Sequence, residues 1–217
     1  DKAMGKTIAV GDLTVGGIEP ILVAGPCSLE SEEQTFEVAS LVAKAGAHVM
    51  RGGAYKPRTS PYAFSGRGAD ALSWMRSAGD THGLKIVTEV LSELDVGRVA
   101  EVADILQVGS RNMQNFSLLR AVGKTGKAVL LKRARAATVD EWLLAGEYLY
   151  ASGCSGVIFC ERGVRGFDPQ TRNLLDLGAV ALLRHRYGLP VIVDPSHGVG
   201  RRDLIGPMSR AALAAGA

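Results

Sequence analysis

The chain alternates between short apolar runs and longer segments whose apolar residues recur with helical spacing. In a parallel sheet the buried strands read as short apolar runs, and the connecting helices carry the longer amphipathic pattern. The pattern predicts strands at residues 21–24, 47–50, 85–88, 105–108, 128–131, 156–160 and 190–193, and helices at residues 31–45, 69–82, 91–102, 115–122, 139–152, 170–187 and 202–215. Such a repeated strand–helix unit indicates an α/β fold.

Seven units, spaced by roughly 25 to 30 residues, predict a (β/α)8 TIM barrel. The pattern contains no eighth strand and no eighth helix before Ala217. We therefore expect the working protein to continue with an apolar strand, an acidic residue near the end of that strand and a further helix. A measurement of the intact mass tests this expectation, because such a segment adds several kDa.

The first residues have a different pattern. Apolar residues alternate with polar ones at Ile8, Val10, Leu13 and Val15 in a glycine-rich context, which predicts a short β-hairpin covering one end of the barrel. We therefore divide the chain into a hairpin extension, residues 1–19, and a barrel catalytic domain, residues 20–217, that is incomplete at its carboxyl end.

Composition narrows the classes of partner and location. The 217 residues are 47% hydrophobic and 22% charged, as in a globular domain, and a net charge of +3 is too small to indicate nucleic acid. No apolar run reaches the roughly 18 residues of a membrane span, and the start is not a signal peptide. Cys27, Cys154 and Cys160 form an odd set without a disulfide spacing, which predicts a reducing, cytoplasmic location.

Polar residues follow the predicted strands. In a TIM barrel the chemistry lies just past the carboxyl ends of the strands. Cations dominate at these positions, which favours a ligand with at least two anionic groups over the alternative of ordinary solvated loops. The residues concerned are Cys27, Ser28, Arg51, Lys56, Arg58, Glu89, Ser110, Arg111, Lys132, Arg133, Glu161, Arg162, Asp194, Ser196 and His197.

The stretch RGGAYKPRTSPYAFSG, residues 51–66, contains the densest group of cations. Arg51, Lys56 and Arg58 lie within eight residues, on a segment in which glycines allow close approach of the backbone and prolines stiffen the loop. Guanidinium groups on a rigid loop suit phosphate and carboxylate recognition. The stretch therefore predicts an anion site, with a solvated loop as the alternative.

A metal site is the second candidate. Cys27 and His197 follow the first and the seventh predicted strands, which can approach each other across a barrel mouth. A thiolate and an imidazole suit a divalent first-row metal. Two ligands do not complete a site, so an apolar cysteine and a satisfied histidine remain the alternative. Cys154 and Cys160 are predicted to be structural.

Several motifs resemble the 3-deoxy-D-arabino-heptulosonate 7-phosphate (DAHP) synthase family, in the short microbial subtype related to 3-deoxy-D-manno-octulosonate 8-phosphate (KDO8P) synthase. They are GPCSLES (25–31), RGGAYKPRTSPYAFSG (51–66), QVGSRNMQN (107–115), LLKR (130–133), CERGVRGF (160–167) and VDPSHGVGRRD (193–203). The resemblance implies a metal-dependent barrel that joins phosphoenolpyruvate to erythrose 4-phosphate and releases phosphate, as the first step of the shikimate pathway. It also implies a homotetramer or homodimer.

The same resemblance assigns roles to residues. It implies that Cys27 and His197 bind a divalent metal ion, which can be Mn, Co, Zn or Fe. The implied substrate-binding residues are Arg111, with Ser110 beside it, and Arg162 for the phosphate of phosphoenolpyruvate, Arg51 and Lys132 for its carboxylate, and Arg58 with Thr59 for the phosphate of erythrose 4-phosphate. Lys56 resembles the catalytic lysine between the two substrates. The family's other two metal ligands, a Glu and an Asp, come from an eighth strand and the loop after it.

The sequence does not decide how Lys56 and His197 divide the proton transfers of the reaction. Lys56 is placed to protonate the new alkoxide, and His197 can instead help to orient or deprotonate water. Two other functions also stay open. KDO8P synthase uses arabinose 5-phosphate as the acceptor, and the sequence Pro57–Ser60 favours the four-carbon sugar over it. The other alternative is a barrel that binds phosphosugars without turning them over, which would need no metal.

Overall fold

A computed structural model describes residues 7–55 and 66–217 of the chain. Three predicted site residues, Lys56, Arg58 and Thr59, lie outside the described residues. In chain order the elements are β1 (Ile8–Val10), β2 (Leu13–Val15), β3 (Val23–Ala24), α1 (Glu32–Lys44), β4 (Val49–Arg51), α2 (Ala69–His82), β5 (Lys85–Glu89), α3 (Val96–Val102), β6 (Ile105–Val108), α4 (Phe116–Gly123), β7 (Ala128–Lys132), α5 (Val139–Ala151), β8 (Gly156–Glu161), α6 (Leu177–Ala181), β9 (Val191–Val193), α7 (Pro195–Val199) and α8 (Arg202–Ala214).

The main sheet has seven parallel strands, which pair in the order of the chain from β3 to β9. The prediction of seven barrel strands is therefore confirmed. Among the described residues, β3 and β9 each pair on one side only, so the curled sheet stays open between them. A cleft of about 820 Å³ lies at this opening, between the barrel interior, α8 and the segment that joins β2 to β3.

Alternation along the strands separates two cores. Side chains two residues apart on a strand point to the same face of the sheet. On β7, Val129 and Leu131 pack against the surrounding helices, whereas Ala128 and Leu130 point into the barrel. The other strands divide in the same way, so the interior is filled mainly by Val49, Val87, Ile105, Leu130 and Ile158.

The hairpin β1–β2 closes the amino end of the barrel, as predicted. Ile8, Val10 and Val15 are buried in the interior cluster. A β-carbon placed at Gly156 would lie 2.6 Å from the Ile8 side chain, which explains why β8 begins with glycine. An ion pair of 2.6 Å between Asp12 and Lys85 also joins the hairpin to the start of β5.

Local hydrogen bonds set the starts of the helices. Ser31 caps α1 by accepting from the Gln34 backbone N–H, and Thr138 and Glu141 form a reciprocal capping box at α5. At α1 the Gln34 side chain accepts from the backbone of Glu30 and not from that of Ser31. The predicted helix at 91–102 starts with a 3₁₀ turn, Glu93–Asp95, before α3.

The predicted helix at residues 170–187 is wrong in its first part. Residues up to 176 form a loop, in which Val164 and Leu174 make an isolated antiparallel bridge, and α6 begins only at Leu177. Short polar side chains compete with helical hydrogen bonds in this segment. Asp168 accepts from the backbone of Gln170, and Asp176 caps α6.

The described helices are too short or too polar for a membrane crossing, so no membrane-spanning candidate occurs in the part of the chain that the structure describes.

Candidate active site

The interior of the barrel becomes polar where the strands end. At the positions that continue the interior face, apolar residues give way to polar ones, from Val49 to Arg51, from Val87 to Glu89, from Ile105 to Gln107 and from Leu130 to Lys132. The same two-residue step leads from Ile192 to Asp194. The carboxyl end of the sheet therefore gathers charged and amide side chains above an apolar core.

Glycine fixes the loop that carries Cys27. Gly25 has a φ of +148°, and a β-carbon there would lie 1.9 Å from the carbonyl oxygen of Arg51. Arg51 in turn donates from its Nη1 to the carbonyl oxygen of Pro26 over 3.0 Å. This close approach holds the exposed Cys27 next to the end of β4.

Lys132, Asp194 and His197 form a compact charged group. Lys132 Nζ donates to Asp194 Oδ2 over 2.6 Å, and His197 Nδ1 lies 2.6 Å from the same oxygen. Asp194 Oδ1 also accepts from the backbone N–H of His197 over 3.0 Å. Burial acts to raise the pKa of Asp194, but the hydrogen bond with His197 and the charge of Lys132 outweigh it and hold that pKa well below its ordinary value. One carboxylate thus fixes both a cation and an imidazole.

Cys27 and His197 are in contact, as their predicted role requires. The hydrogen bond with Asp194 raises the pKa of His197 most, and a hydrogen bond with the Cys27 side chain adds to the effect, against burial. A histidine that binds a metal ordinarily has its other ring nitrogen held by a carboxylate. Asp194 Oδ2 lies against Nδ1 of His197 in the same way. The described residues offer two side chains that suit a metal, Cys27 and His197, and one carboxylate, Asp194, that orients the imidazole. They contain no cluster of three or more His, Cys, Asp or Glu side chains arranged for a metal.

Arg162 is a buried cation at the end of β8. It is 8% exposed, and its Nη1 has no hydrogen-bond partner among the described residues. Burial lowers its pKa, with Asp194 opposing that effect and the nearby Arg172 and Arg135 adding to it. A buried guanidinium nitrogen without a partner is costly, so this position suits an anionic ligand.

Two further predicted residues, Ser110 and Arg111, lie in a 3₁₀ turn just after β6. Arg111 is exposed and Ser110 is half-buried. The turn starts against Glu89, because a β-carbon at Gly109 would lie 1.9 Å from Glu89 Oε1. Gln107 Nε2 donates to the other carboxylate oxygen of Glu89 over 3.4 Å.

The structure brings part of the predicted set together. Arg51, Lys132 and His197 line the same cleft, and Cys27 contacts His197, whereas Ser110, Arg111 and Arg162 are not part of the cleft lining. Cys154 and Cys160 are buried, in agreement with a structural role. The sequence places Asp194 among the polar residues after the last strand and predicts no specific role for it. The two-residue step from Ile192 is the signal that would place its side chain in the barrel mouth.

Comparison with known proteins agrees with this geometry. The family model described as the DAHP synthetase I family matches residues 6–217. A phospho-2-dehydro-3-deoxyheptonate aldolase of Thermotoga maritima is 50% identical over 210 residues, which are 97% of this chain and 62% of the relative. A 2-dehydro-3-deoxyphosphooctonate aldolase of Syntrophotalea carbinolica is 30% identical over 233 residues, with 98% of this chain and 83% of the relative covered.

Solved structures give the same result. The crystal structure of the Thermotoga maritima DAHP synthase superposes with a TM-score of 0.93 at 50% identity, covering 97% of this chain and 62% of that one. A truncated form of the Thermotoga enzyme gives a TM-score of 0.88 at 48% identity, covering 97% of this chain and 77% of that one. This chain thus spans less than two thirds of the length of the full Thermotoga relative.

The fold and the site together define an α/β barrel of the TIM type whose carboxyl rim carries several cations. The family match extends over almost the whole chain and includes every described residue of that rim. The chain belongs to the DAHP synthetase I family.

Proposed function

We propose that the protein is a DAHP synthase, a transferase that condenses phosphoenolpyruvate with erythrose 4-phosphate and releases phosphate. The observation that carries the proposal is Arg162, a buried guanidinium whose Nη1 lacks a partner among the described residues. A phosphate or carboxylate group supplies the missing acceptor. Membership of the family and 50% identity to the Thermotoga aldolase support the choice of reaction.

The cations divide between the anionic groups of the substrates. In this proposal Arg162 and Arg111, with Ser110 beside them, bind the phosphate of phosphoenolpyruvate. Arg51 and Lys132 face its carboxylate. Lys132 is already held by Asp194 at 2.6 Å, so its ammonium group is positioned before the substrate binds. Arg58 and Thr59 serve the phosphate of the aldose.

The reaction forms one carbon–carbon bond and breaks one carbon–oxygen bond. C3 of phosphoenolpyruvate attacks the aldehyde carbon, and positive charge develops at C2. Water adds at C2 and loses a proton, and cleavage of the C2–O bond expels phosphate. Lys56 protonates the alkoxide that forms at the former aldehyde, and His197 with Asp194 orients or deprotonates the water in the alternative assignment.

Cys27 and His197 would hold a divalent metal ion of the first row. Such an ion supplies Lewis-acid polarisation of the aldehyde oxygen. Asp194 fixes the imidazole in the orientation that such a ligand needs, because it binds both the ring and the backbone of His197. Mn, Co, Zn and Fe all suit a thiolate–imidazole pair.

Exhaustive chelation is expected to abolish activity, because a bound metal would polarise the acceptor aldehyde, and Mn²⁺, Co²⁺ or Zn²⁺ is expected to restore part of it. Cys27→Ser is expected to lose metal while keeping its circular dichroism spectrum. Cys154→Ser, at a buried cysteine outside the site, is the matched control and is expected to keep its metal. Full activity after chelation contradicts the metal assignment.

A coupled assay tests the reaction itself. Phosphate release from phosphoenolpyruvate is measured with erythrose 4-phosphate and with arabinose 5-phosphate in turn. Erythrose 4-phosphate is expected to be the much better acceptor. Release with arabinose 5-phosphate alone would identify a KDO8P synthase, and binding of both substrates without release would identify a phosphosugar-binding barrel.

The proposal includes an assembly and a location. The resemblance to the family favours a homotetramer or homodimer in the cytoplasm, with phosphoenolpyruvate and erythrose 4-phosphate as the small-molecule partners. Light scattering of the purified protein measures the assembly. A monomer at micromolar concentration with full activity contradicts it.

A further inference from the structure

We propose that Glu161, together with Arg133, is a positioning residue that holds the Arg162 guanidinium in place for the phosphate of phosphoenolpyruvate. This inference rests on the proposed function, since Arg162 is the residue that binds phosphate in that proposal. The carboxylate of Glu161 does not reach the substrate in this proposal, and it acts through the turn in which Arg162 lies.

Arg162 is the central residue of a three-residue turn closed by a buried carboxylate. Glu161 Oε1 accepts from the backbone N–H of Gly163 over 2.7 Å, and Glu161 Oε2 accepts from Arg133 Nη1 over 2.9 Å. Glu161 has no exposed surface. The side chain before Arg162 is therefore bonded to the residue after it, which fixes the backbone from which the guanidinium projects.

The far side of the turn is equally constrained. Gly163 has a φ of +94°, and a β-carbon there would lie 2.6 Å from the Asn173 side chain and 3.0 Å from the Gly198 backbone. Asn173 Nδ2 donates to the carbonyl oxygen of His197 over 2.9 Å. The turn that carries Arg162 is thus packed directly against α7, the short helix that carries His197.

Arg133 anchors Glu161 to the rest of the barrel. Its Nη1 donates to Asp176 Oδ2 over 2.9 Å as well as to Glu161, its Nε donates to the Ala137 carbonyl oxygen over 3.1 Å, and its guanidinium lies 5.6 Å from the ring centroid of Trp142. Burial acts to lower the pKa of Arg133, but the bonds to Asp176 and Glu161 outweigh it and raise that pKa. Arg133 therefore stays charged and bound to these two carboxylates.

The contrast between the two arginines motivates the assignment. Arg133 and Arg162 are comparably buried and lie at the ends of adjacent strands. The Nε and Nη1 of Arg133 donate to three oxygen atoms, whereas the Nη1 of Arg162 has no partner among the described residues. A guanidinium with an unsatisfied nitrogen depends on its backbone for its position. The Glu161 bond to Gly163 is the contact that fixes that backbone.

Asp176 provides a matched control. Asp176→Asn and Glu161→Gln each remove a carboxylate that binds Arg133 Nη1, but only Glu161 also binds the turn around Arg162. Asn and Gln each keep one acceptor oxygen. Asn at 176 can still accept from the backbone of Ala179 and cap α6, whereas the single oxygen of Gln at 161 cannot accept from both Arg133 and Gly163. A difference between the two variants therefore reports the turn and not the general loss of a charge beside Arg133.

The experiment measures phosphoenolpyruvate binding by calorimetry and steady-state kinetics with both substrates. Glu161→Gln is expected to raise the Kd and KM for phosphoenolpyruvate by about tenfold or more, a typical effect of a charged hydrogen bond, with the aldose KM changed less than about twofold. Asp176→Asn is expected to change both by less than about threefold. On an Arg162→Ala background the effect of Glu161→Gln on phosphoenolpyruvate is expected to disappear.

Other outcomes overturn the inference. An equal loss from Asp176→Asn, or an undiminished effect of Glu161→Gln without Arg162, shows that Glu161 only stabilises the fold. If Glu161→Gln does not fold, Glu161→Asp replaces it, with an intermediate loss of phosphoenolpyruvate affinity expected and no loss counting against the inference.

A crystal structure of Glu161→Gln separates this inference from the proposed function. If the wild-type protein binds phosphoenolpyruvate but uses no aldose, the proposed function fails and the binding measurements still decide the role of Glu161. If it does not bind phosphoenolpyruvate, displacement of the Arg162 guanidinium in the variant supports the positioning role, and an unmoved guanidinium overturns it.

Discussion

The chemistry of this barrel is set by a change of residue type at alternate positions. The interior face of β5 carries Val87 and then Glu89, and that of β7 carries Leu130 and then Lys132. A step of two residues along a strand therefore leads from the apolar core to the site. The burial of Lys132 costs little because Asp194 Oδ2 accepts a hydrogen bond from its ammonium group over 2.6 Å. A site built in this way has a rigid floor, since its polar side chains stand on the packed strands themselves.

The three cysteines are expected to differ in reactivity. Burial raises the pKa of the Cys154 thiol to about 11 and that of Cys160 to about 12, so at pH 8 neither forms much of the thiolate that reacts with disulfide reagents. Cys27 is exposed and is expected to react first. Titration of the native protein with a chromogenic disulfide should therefore show one fast thiol, which added Zn²⁺ should protect. Rapid reaction of all three thiols would contradict the packing of β8.

Gly25→Ala is expected to disrupt the loop that holds Cys27. The new methyl group would meet the Arg51 carbonyl oxygen, and the φ of +148° adds strain of about 1–3 kcal/mol. Both the melting temperature and the metal content are expected to fall. Gly46→Ala is the control, because Gly46 has a φ of +85° but open space around it, and a cost of about 1–2 kcal/mol with unchanged metal content is expected. Equal metal content in the two variants would contradict the role of the close approach.

At the scale of elements, prediction succeeded where local pattern decides the structure. The helix predicted at residues 31–45 is observed as Glu32–Lys44, and the helix Ala69–His82 was predicted to the residue. The prediction of helix at residues 170–176 was wrong because the structure of this segment depends on distant partners, such as the hydrogen bond from Asn173 to His197. A spacing of apolar residues cannot reveal such a contact between a loop and a distant helix.

The hairpin is expected to contribute strongly to stability. Ile8 is 2% exposed in the interior cluster, so Ile8→Ala is expected to lower the free energy of unfolding by about 2–5 kcal/mol. Ile18→Ala is the matched control, since Ile18 is 98% exposed and a change within about 0.5 kcal/mol is expected. Urea denaturation measures both. Similar values for the two variants would show that the hairpin does not seal the barrel.

At the scale of the whole molecule, the sequence predicted the order of the strands and the end of the barrel that carries the chemistry. Repetition of one unit is enough for both, because connections between parallel strands have a fixed hand and the site follows the carboxyl ends. The roles of Asp194 and Glu161 were not predicted. Their partners, Lys132 and Arg133, are distant in sequence. Pairing of β7 with β8 brings Arg133 to 2.9 Å from Glu161, and the curl of the sheet from β7 to β9 brings Lys132 to 2.6 Å from Asp194.

Substitutions of two arginines are expected to distinguish the two substrates. Arg111→Ala is expected to weaken phosphoenolpyruvate binding by about ten- to a hundredfold, the effect of one charged hydrogen bond. Arg58→Ala is expected to raise the aldose KM and to leave phosphoenolpyruvate binding nearly unchanged. Calorimetry with phosphoenolpyruvate distinguishes them, and a loss of its binding in Arg58→Ala would reverse the two assignments.

The strictly sequential order of the main sheet bears on how the chain reaches its fold. Each barrel strand from β4 to β9 pairs with the strand made just before it, so every new pairing closes a short loop, and loop closure becomes costly only slowly with length. From β4 onwards, each described strand of this sheet finds its first neighbour already made. Synthesis from the ribosome therefore delivers the strands in the order in which the sheet can grow.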